Sequence, residues 1–449
     1  MIKYVLVLML FITNLVGAKE VRGEVQDVAS EKQVIVEVSE EEDVQVGDEV
    51  KIGFMLPEEG FVPMEGEWTV IEVMENGLLL VEPVEGTNPD LPSPGYIVEI
   101  TRPSIREQNP EHMEPYELAM IGDRFFFGYG EQVDYEKARY WYGLAAEKGV
   151  AEAQNNLGQI YQRGLGVPQD LDKAAELYRK AAEQSLPVAM NNLGWMYFRG
   201  WGVDQDVSLA IEWYRKAAEV GNAHGQTNLG WMYQNGWGVE KNFGQALYWY
   251  RKAAEQQFAP AENNLGVLYH HGLGVEKDEN KAVYWYGQAA EHGNIPAQIN
   301  LGWMYENGRG VRQDYKKAAQ WYQVAAEQGF PLAMNNLGWL YQNGWGVNKD
   351  YAKALELFEK AAKMGEARAF NNMGYMYELG KGVEQSYAEA RKWYQQAAER
   401  GDVYGQYNLA RFYHYGNGMS IDIKQAIFWY EKAASQGSNQ AIRALNLLK

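Results

Sequence analysis

The sequence predicts a mainly α-helical fold, a solenoid of about nine 36-residue helical hairpins, preceded by a small β-rich barrel-like or sandwich domain. Two columns of residues predict the helical part. A glycine recurs every 36 residues from Gly122 to Gly374, and an aromatic residue lies three positions further on, from Phe125 to Tyr413. The β part is predicted by short runs rich in Val and Ile between residues 20 and 101.

The first residues predict a signal peptide over 1–18. Lys3 is followed by an apolar run, and Val16 and Ala18 have the spacing of small residues at a signal-peptidase site. The run is shorter than the ~20 apolar residues of a spanning helix, so we expect cleavage after Ala18 and no stable membrane insertion afterwards. A retained anchor is the alternative. Because the chain has no cysteine, export without disulfides favours the bacterial periplasm or secretion.

Residues 19–101 form the predicted acidic β-rich domain, and the proline-containing residues 102–115 form a predicted linker. The Asn76-Gly77 dipeptide predicts a hairpin between two of the strands. Residues 19–115 contain 24 acidic and 6 basic side chains and so account for nearly all of the net charge of −19. The acidic run 40–43 lacks the spacing of a calcium loop, so we interpret it as a solvated loop. Neither part of the chain has a basic stripe, so we expect no nucleic-acid partner.

The solenoid is predicted over 116–449, with Leu445 at the start of an incomplete tenth unit that caps it. Each unit has the same helix boundaries. A G-x-G pair such as Gly200 and Gly202 ends the first helix, because positive φ costs glycine little. Four residues later comes a side chain suited to cap the second helix: Asp134, Asp170, Asp206, Asn242, Asp278, Asp314, Asp350, Ser386 and Asp422.

These residues carry a family resemblance. The pattern LGWMYxxGxGV followed by DxxxAxxWYxKAAExG resembles the Sel1-like repeat, a relative of the tetratricopeptide repeat, over residues 116 to about 437. The resemblance implies a right-handed, TPR-like α-solenoid that scaffolds protein complexes. The absence of cysteine distinguishes the chain from the cysteine-rich secreted branch of that family.

Helical angles separate two kinds of tryptophan. On second helices the Trp-Tyr and Ala-Ala pairs, such as Trp213-Tyr214, face the packing side and are interpreted as core. On first helices Trp195 points away from the arc of Leu193, and its column varies from repeat to repeat. In tetratricopeptide relatives the matching positions line a concave groove, so the resemblance implies a partner-binding site here. The predicted site comprises Asn191, Trp195, Phe198, Arg199, Thr227, Trp231, Gln234, Asn235, Trp303, Asn335, Trp339, Gln342 and Asn343.

Two further features have structural interpretations. The tryptophans between two glycines, Trp201, Trp237 and Trp345, are expected to hold the turn against the next unit, with partner contact as the alternative. The column of asparagines from Asn156 to Asn408 is expected to bond backbone groups of a neighbouring helix or turn.

Catalytic signatures are missing from the sequence. It contains no GxSxG, SxxK, HExxH or GxxxxGK[ST] motif. The adjacent His270 and His271 diverge by about 100° on a helix, so we expect no metal site and no cofactor.

We therefore expect a non-catalytic exported scaffold or adaptor that binds a partner protein or peptide on the concave face. A polysaccharide-binding or exopolysaccharide-assembly scaffold is the alternative. A cell-wall-active or lactam-binding enzyme is a second alternative.

Overall fold

The computed structural model describes residues 20–30, 33–38, 49–56, 60–63, 68–73, 78–83, 97–101, 110, 113–129 and 132–448. Between 20 and 101 the description is of the backbone. The predicted signal peptide, the acidic run 40–43 and the Asn76-Gly77 turn lie outside the described residues.

Seven strand segments lie in the N-terminal part, and all the strand pairings within the described residues are antiparallel. They are β1 (Glu20–Ser30), β2 (Gln33–Val38), β3 (Glu49–Leu56), β4 (Gly60–Pro63), β5 (Trp68–Val73), β6 (Leu78–Pro83) and β7 (Ile97–Thr101). Their order in the sheet is β4-β3-β5-β6-β2-β1-β7, and β3 also pairs with β7.

The chain is mainly a helical solenoid, as predicted. Its helices are α1 (Pro115–Phe127), α2 (Tyr135–Glu147), α3 (Ala151–Arg163), α4 (Leu171–Glu183), α5 (Pro187–Arg199), α6 (Val207–Glu219), α7 (Ala223–Asn235), α8 (Phe243–Ala254), α9 (Ala259–His271), α10 (Glu279–Glu291), α11 (Ile295–Asn307), α12 (Tyr315–Glu327), α13 (Pro331–Asn343), α14 (Tyr351–Lys363), α15 (Ala367–Leu379), α16 (Tyr387–Glu399), α17 (Val403–Tyr415), α18 (Ile423–Ser435) and α19 (Asn439–Leu448). Two compact units divide the chain: residues 1–205 contain α1–α5, and residues 206–449 contain α6–α19.

The predicted caps begin the second helices. All nine side chains accept a hydrogen bond from the backbone N–H three residues on, which satisfies one of the free donors of a helix start. Both glycines of the G-x-G pair have positive φ, for example 66° at Gly200 and 62° at Gly202. Second helices end in a left-handed residue that is usually glycine, but Ser185 and Gln257 adopt this conformation at φ 68° and 58°.

The recurring glycine of the first helix makes room for an aromatic ring of the second. A Cβ at Gly302 would lie 2.7 Å from the ring of Tyr322, and a Cβ at Gly338 would lie 2.8 Å from the ring of Phe358. Both rings are fully buried. The absence of a side chain on one helix thus allows the close packing of each hairpin.

From Gly166 onwards, the second glycine of the turn lies against the preceding repeat. A Cβ at Gly346 would overlap the backbone carbonyl of Tyr315, and one at Gly310 would overlap that of Glu279. Tyr315 and Glu279 are the first residues of α12 and α10. Glycine is therefore required here both for its positive φ and for the contact between repeats.

The asparagine column is a ladder of side chains, which corrects the expectation that it bonds backbone groups. Asn408 donates to Oδ1 of Asn371 at 2.9 Å, and Asn372 donates to Oδ1 of Asn335 at 2.8 Å. Asn371 donates in turn to Asn372 at 3.5 Å. The first asparagine of each Asn-Asn pair, which the sequence reasoning did not use here, is the acceptor for the next repeat.

A second set of links joins the two helices within a repeat, over a spacing of 30 residues. Most are glutamine pairs, such as Gln256 to Gln226 at 2.9 Å and Gln328 to Gln298 at 3.0 Å. In the repeat 259–294 the pair is Glu262 and His292, with 2.8 Å between Oε2 and Nδ1. In the repeat 367–402 the guanidinium of Arg400 lies 4.1 Å from the ring centre of Phe370. In these two repeats both members of the pair differ from glutamine, and a contact between them is retained.

Candidate functional site

The tryptophans of the predicted site keep accessible surface. Trp231, Trp303 and Trp339 lie on α7, α11 and α13 of the second unit, at the same position of three repeats. Trp303 is 39% exposed, and the other two are half-buried. Trp195 occupies this position on α5 of the first unit and is also half-buried. Helix geometry explains this position, because each of these residues lies off the arc that packs against the neighbouring helices.

Each loop tryptophan packs on the facing tryptophan six residues before it in the chain. The ring centres are 5.0 Å apart for Trp231 and Trp237, and 6.2 Å apart for Trp339 and Trp345 with nearly perpendicular planes. Trp237 is 46% exposed and Trp345 is 38% exposed. The loop residue thus extends the aromatic surface of the helix, and ring contacts of this kind hold both side chains in place.

The first unit contains the same pair in another setting. The rings of Trp195 and Trp201 lie 6.4 Å apart at 86°. The guanidinium of Arg199, which is exposed, lies 5.6 Å and 5.0 Å from their ring centres. This surface therefore presents a cation together with two aromatic rings.

Other repeats change both members of the pair. Val267 and Leu273 replace the tryptophans of the neighbouring repeats. In a later repeat the pair is Tyr375 and Lys381, with the ammonium 4.6 Å from the ring centre. The column therefore varies in chemistry along the solenoid, whereas the positions that pack the hairpins stay constant.

The predicted amides are already bonded within the chain. Asn235 donates to the carbonyl oxygen of Trp231 at 2.9 Å, and Asn343 donates to that of Trp339 at 2.8 Å. Gln234 accepts the hydroxyl of Tyr250 at 2.9 Å. The two asparagine bonds lie within one helix, and the Gln234 bond joins α7 to α8. Contact of these amides with a partner stays a prediction.

Five other members of the predicted site are buried: Asn191, Phe198, Thr227, Asn335 and Gln342. Asn335 belongs to the asparagine ladder, and Thr227 donates to the carbonyl oxygen of Ala223 at 2.8 Å. A helical angle gives the direction of a side chain but not the cover that a neighbouring helix supplies. The accessible members of the predicted site are therefore its tryptophan rings together with Arg199, Gln234, Asn235 and Asn343.

The column containing Gln234 has a second function in the fold, because it accepts the hydroxyl of the buried tyrosine. Glu306 accepts from Tyr322 at 2.7 Å, and burial raises the pKa of the Glu306 carboxyl. Glu378 accepts from Tyr394 at 2.7 Å and from Arg411 at 2.6 Å. The sequence alone did not reveal that this column accepts the tyrosine hydroxyl, although Gln234, Glu306 and Glu378 are all side chains that can accept a hydrogen bond.

His270 has different surroundings from its counterparts. Its ring lies 5.6 Å from that of Trp303 and 4.7 Å from that of His271, nearly perpendicular to both. Burial, and secondly His271, lower the pKa of His270. Among the described residues no group of three or more His, Asp or Glu side chains could hold a metal ion.

These features define a class of protein: a helical-hairpin repeat solenoid whose first helices present a variable aromatic surface. Across the described residues, no helix combines the length and apolar character needed to cross a membrane. The Sel1 repeat model matches nine consecutive segments: 116–150, 151–186, 187–222, 223–258, 259–294, 295–330, 331–366, 367–402 and 403–438. The chain belongs to the Sel1 repeat family, whose members act as protein-interaction scaffolds.

Two solved structures of repeat proteins are similar to the chain. The chain is 34% identical to c5321, a protective antigen of uropathogenic Escherichia coli strains with an SLR fold, over 75% of this chain and 79% of that one, with a TM-score of 0.54. It is 35% identical to a Sel1 repeat protein from Oxalobacter formigenes over 54% of this chain and 96% of that one, with a TM-score of 0.48. No curated protein matches the chain.

Proposed function

We propose that the protein is a non-catalytic, exported scaffold that binds a partner protein or peptide through the tryptophan surface on the concave face of a right-handed solenoid. The exposure of the Trp231–Trp237 and Trp339–Trp345 pairs supports this proposal. Large aromatic rings held at a surface are the usual anchors of protein interfaces. The rings are positioned before binding, so little conformational entropy is lost on the solenoid side.

Export and domain organisation are part of the same proposal. The signal peptide 1–18 is cleaved after Ala18 and releases the protein into the periplasm or medium. Residues 19–101 form a barrel-like or sandwich domain, which the pairing of β3 with both β5 and β7 supports. Residues 102–115 link it to the solenoid of 116–449. N-terminal sequencing of the protein from the envelope fraction tests this proposal, because a mature chain that begins at Met1 would contradict it.

A crosslinking pull-down from the native envelope tests the binding surface. We expect Trp231→Ala with Trp339→Ala to lose the partner that the wild type captures, because each substitution removes an aromatic anchor. The control is Tyr248→Ala, which removes an aromatic side chain that is 50% exposed on the second helix α8. Circular dichroism confirms that each variant is helical.

Two outcomes would contradict the proposal. Capture of the same partner by the tryptophan variant would place the site elsewhere. Quenching of tryptophan fluorescence by glycan fragments, with no protein captured, would favour a polysaccharide ligand, because tryptophan faces also stack on sugar rings.

A further inference from the structure

The Trp339–Trp345 pair of α13 has the same geometry as the Trp195–Trp201 pair of α5. The ring centres are 6.2 Å apart at 83° in the first pair and 6.4 Å apart at 86° in the second. Both pairs join the same two positions of a repeat, one on the first helix and one in the turn that follows it. The surroundings of the two pairs are therefore directly comparable.

A cation of the chain itself lies on the α5 pair. The guanidinium of Arg199 is 5.6 Å from the ring centre of Trp195 and 5.0 Å from that of Trp201. Both distances are within the roughly 6 Å over which the face of an indole ring attracts a cation. Two nearly perpendicular tryptophan rings at this separation therefore accommodate one guanidinium.

The α13 pair has no such cation from the chain. Asn343 stands at the position of Arg199, and its amide donates to the carbonyl oxygen of Trp339 at 2.8 Å. Within the part of the chain that the structure describes, no Lys or Arg side chain lies over either ring of this pair. Trp345 is 38% exposed and Trp339 is half-buried. A cation from another molecule therefore has access to these rings.

The repeat after α13 also places a cation on the ring of this column. The ammonium of Lys381 lies 4.6 Å from the ring centre of Tyr375 and donates to its hydroxyl at 3.3 Å. On α11 the cation at the loop position, Arg309, instead pairs with Glu279 at 3.6 Å. In two repeats, then, an aromatic ring of this column is in contact with a cation of the chain.

We propose that the Trp339–Trp345 pair binds an arginine side chain of the partner, in the place that Arg199 takes on α5. This inference rests on the proposed function and adds the chemistry of the partner segment, which is basic. The net charge of −19 favours such a partner, because a negatively charged protein attracts a basic segment during the encounter. Tyr315 packs on Trp345 with ring centres 5.1 Å apart, so the ring is held before binding.

Fluorine NMR of the full chain labelled with fluorotryptophan tests the proposal. The probes are the peptide Ac-Gly-Arg-Gly-Arg-Gly-NH2 and its citrulline counterpart, which has a similar shape without the charge. Trp339→Phe, Trp345→Phe and Trp195→Phe identify the three signals by their loss. We expect the arginine peptide to shift the Trp339 and Trp345 signals on the order of 1 mM, at a concentration at least about fivefold below that of the citrulline peptide. The Trp195 signal should not respond, because Arg199 occupies that pair.

Variants at one position separate filling of the site from loss of a hydrogen bond. Asn343→Arg supplies the guanidinium from the chain, as on α5, and should weaken the response at least about fivefold. Asn343→Ala removes the same hydrogen bond without adding a cation and should keep the response. The matched control is Asn307→Arg, because Asn307 makes the same bond to Trp303 at 2.9 Å in a repeat without a loop tryptophan. Arg199→Asn should make the Trp195 signal respond.

Three results would overturn the proposal: an equal response to the two peptides, no shift of either signal up to about 10 mM peptide, and a response of Asn343→Arg equal to that of the wild type. Failure of the proposed function has a different signature, because it appears in the pull-down. A wild type that captures a partner but does not bind the arginine peptide would remove only this inference. An arginine peptide that binds while no protein is captured would support the cation site and remove the scaffold.

Discussion

Phe358→Tyr is expected to stabilise the repeat that contains it. Phe358 is fully buried on α14, and every other repeat has tyrosine at this position. In the repeat of α7 and α8, Tyr250 donates to Oε1 of Gln234 at 2.9 Å. The counterpart of Gln234 is Gln342, which is 2% exposed and whose Oε1 accepts no hydrogen bond within the described chain. The natural sequence thus has the acceptor but not the donor.

The magnitude follows from the cost of an unsatisfied buried acceptor, about 1–3 kcal/mol. Supplying the hydroxyl should raise the local free energy of unfolding by about 1 kcal/mol, because desolvation of the new group offsets part of the gain. Gln342→Met removes the unpaired acceptor instead and should also stabilise. The gain in the free energy of unfolding for the double variant should be about 1–2 kcal/mol smaller than the sum of the two single gains, because the new tyrosine hydroxyl would then be the unpaired group.

Native-state hydrogen exchange of α13 and α14 measures this effect where it arises, because repeat proteins open locally as well as globally. The midpoint of urea unfolding provides a second measure. The reasoning is refuted if Phe358→Tyr leaves exchange unchanged or faster. It is also refuted if the substitution has the same effect with and without Gln342→Met.

Three further predictions concern turns and charge. Gly346→Ala should lower the urea midpoint by the equivalent of about 2 kcal/mol or more, because it combines a left-handed backbone with overlap of the preceding repeat. Gly365→Ala has a similar φ but open space, so its cost should be about half, and equal costs would contradict the overlap. Gln257→Gly should raise the urea midpoint by the equivalent of about 1 kcal/mol, because glycine adopts this φ without strain; a lower midpoint would contradict this. Glu306→Gln should stabilise the protein near pH 7, with a gain that shrinks as the pH falls. Because its pKa is raised in the folded state, Glu306 stabilises the fold below its unfolded pKa, and this stabilisation is lost as the pH rises through the folded pKa. A difference in urea unfolding between Glu306→Gln and wild type that does not depend on pH would contradict the raised pKa.

The repeat architecture was predictable because its determinants are local. A capping side chain such as Asp278, or a positive-φ glycine such as Gly200, acts within a few residues of its own position. The aromatic column and the buried tyrosines also followed from one helical period. Local rules of this kind need no knowledge of the neighbouring helix.

The site was only partly predictable, because burial depends on the next repeat. Asn335 points in the expected direction, yet it accepts a hydrogen bond from Asn372 and is covered. The unpaired Gln342 was likewise invisible until α14 placed Phe358 instead of tyrosine opposite it. Comparing columns 30 residues apart would have revealed the pairing of Glu262 with His292, since both depart from glutamine in the same repeat.

The two sets of amide contacts have a consequence for how such a chain can change in length. The variable pairs, such as Glu262 with His292, lie inside one repeat and are inherited together. In several repeats asparagine meets asparagine at the junction. If residues 367–402 were deleted, Asn408 would take the place of Asn372 opposite Asn335. The repeat thus behaves as an exchangeable module, because the same Asn–Asn hydrogen bond connects it to its neighbours. A gene of this kind can therefore gain or lose a whole 36-residue unit and keep this hydrogen bond between the repeats that become neighbours.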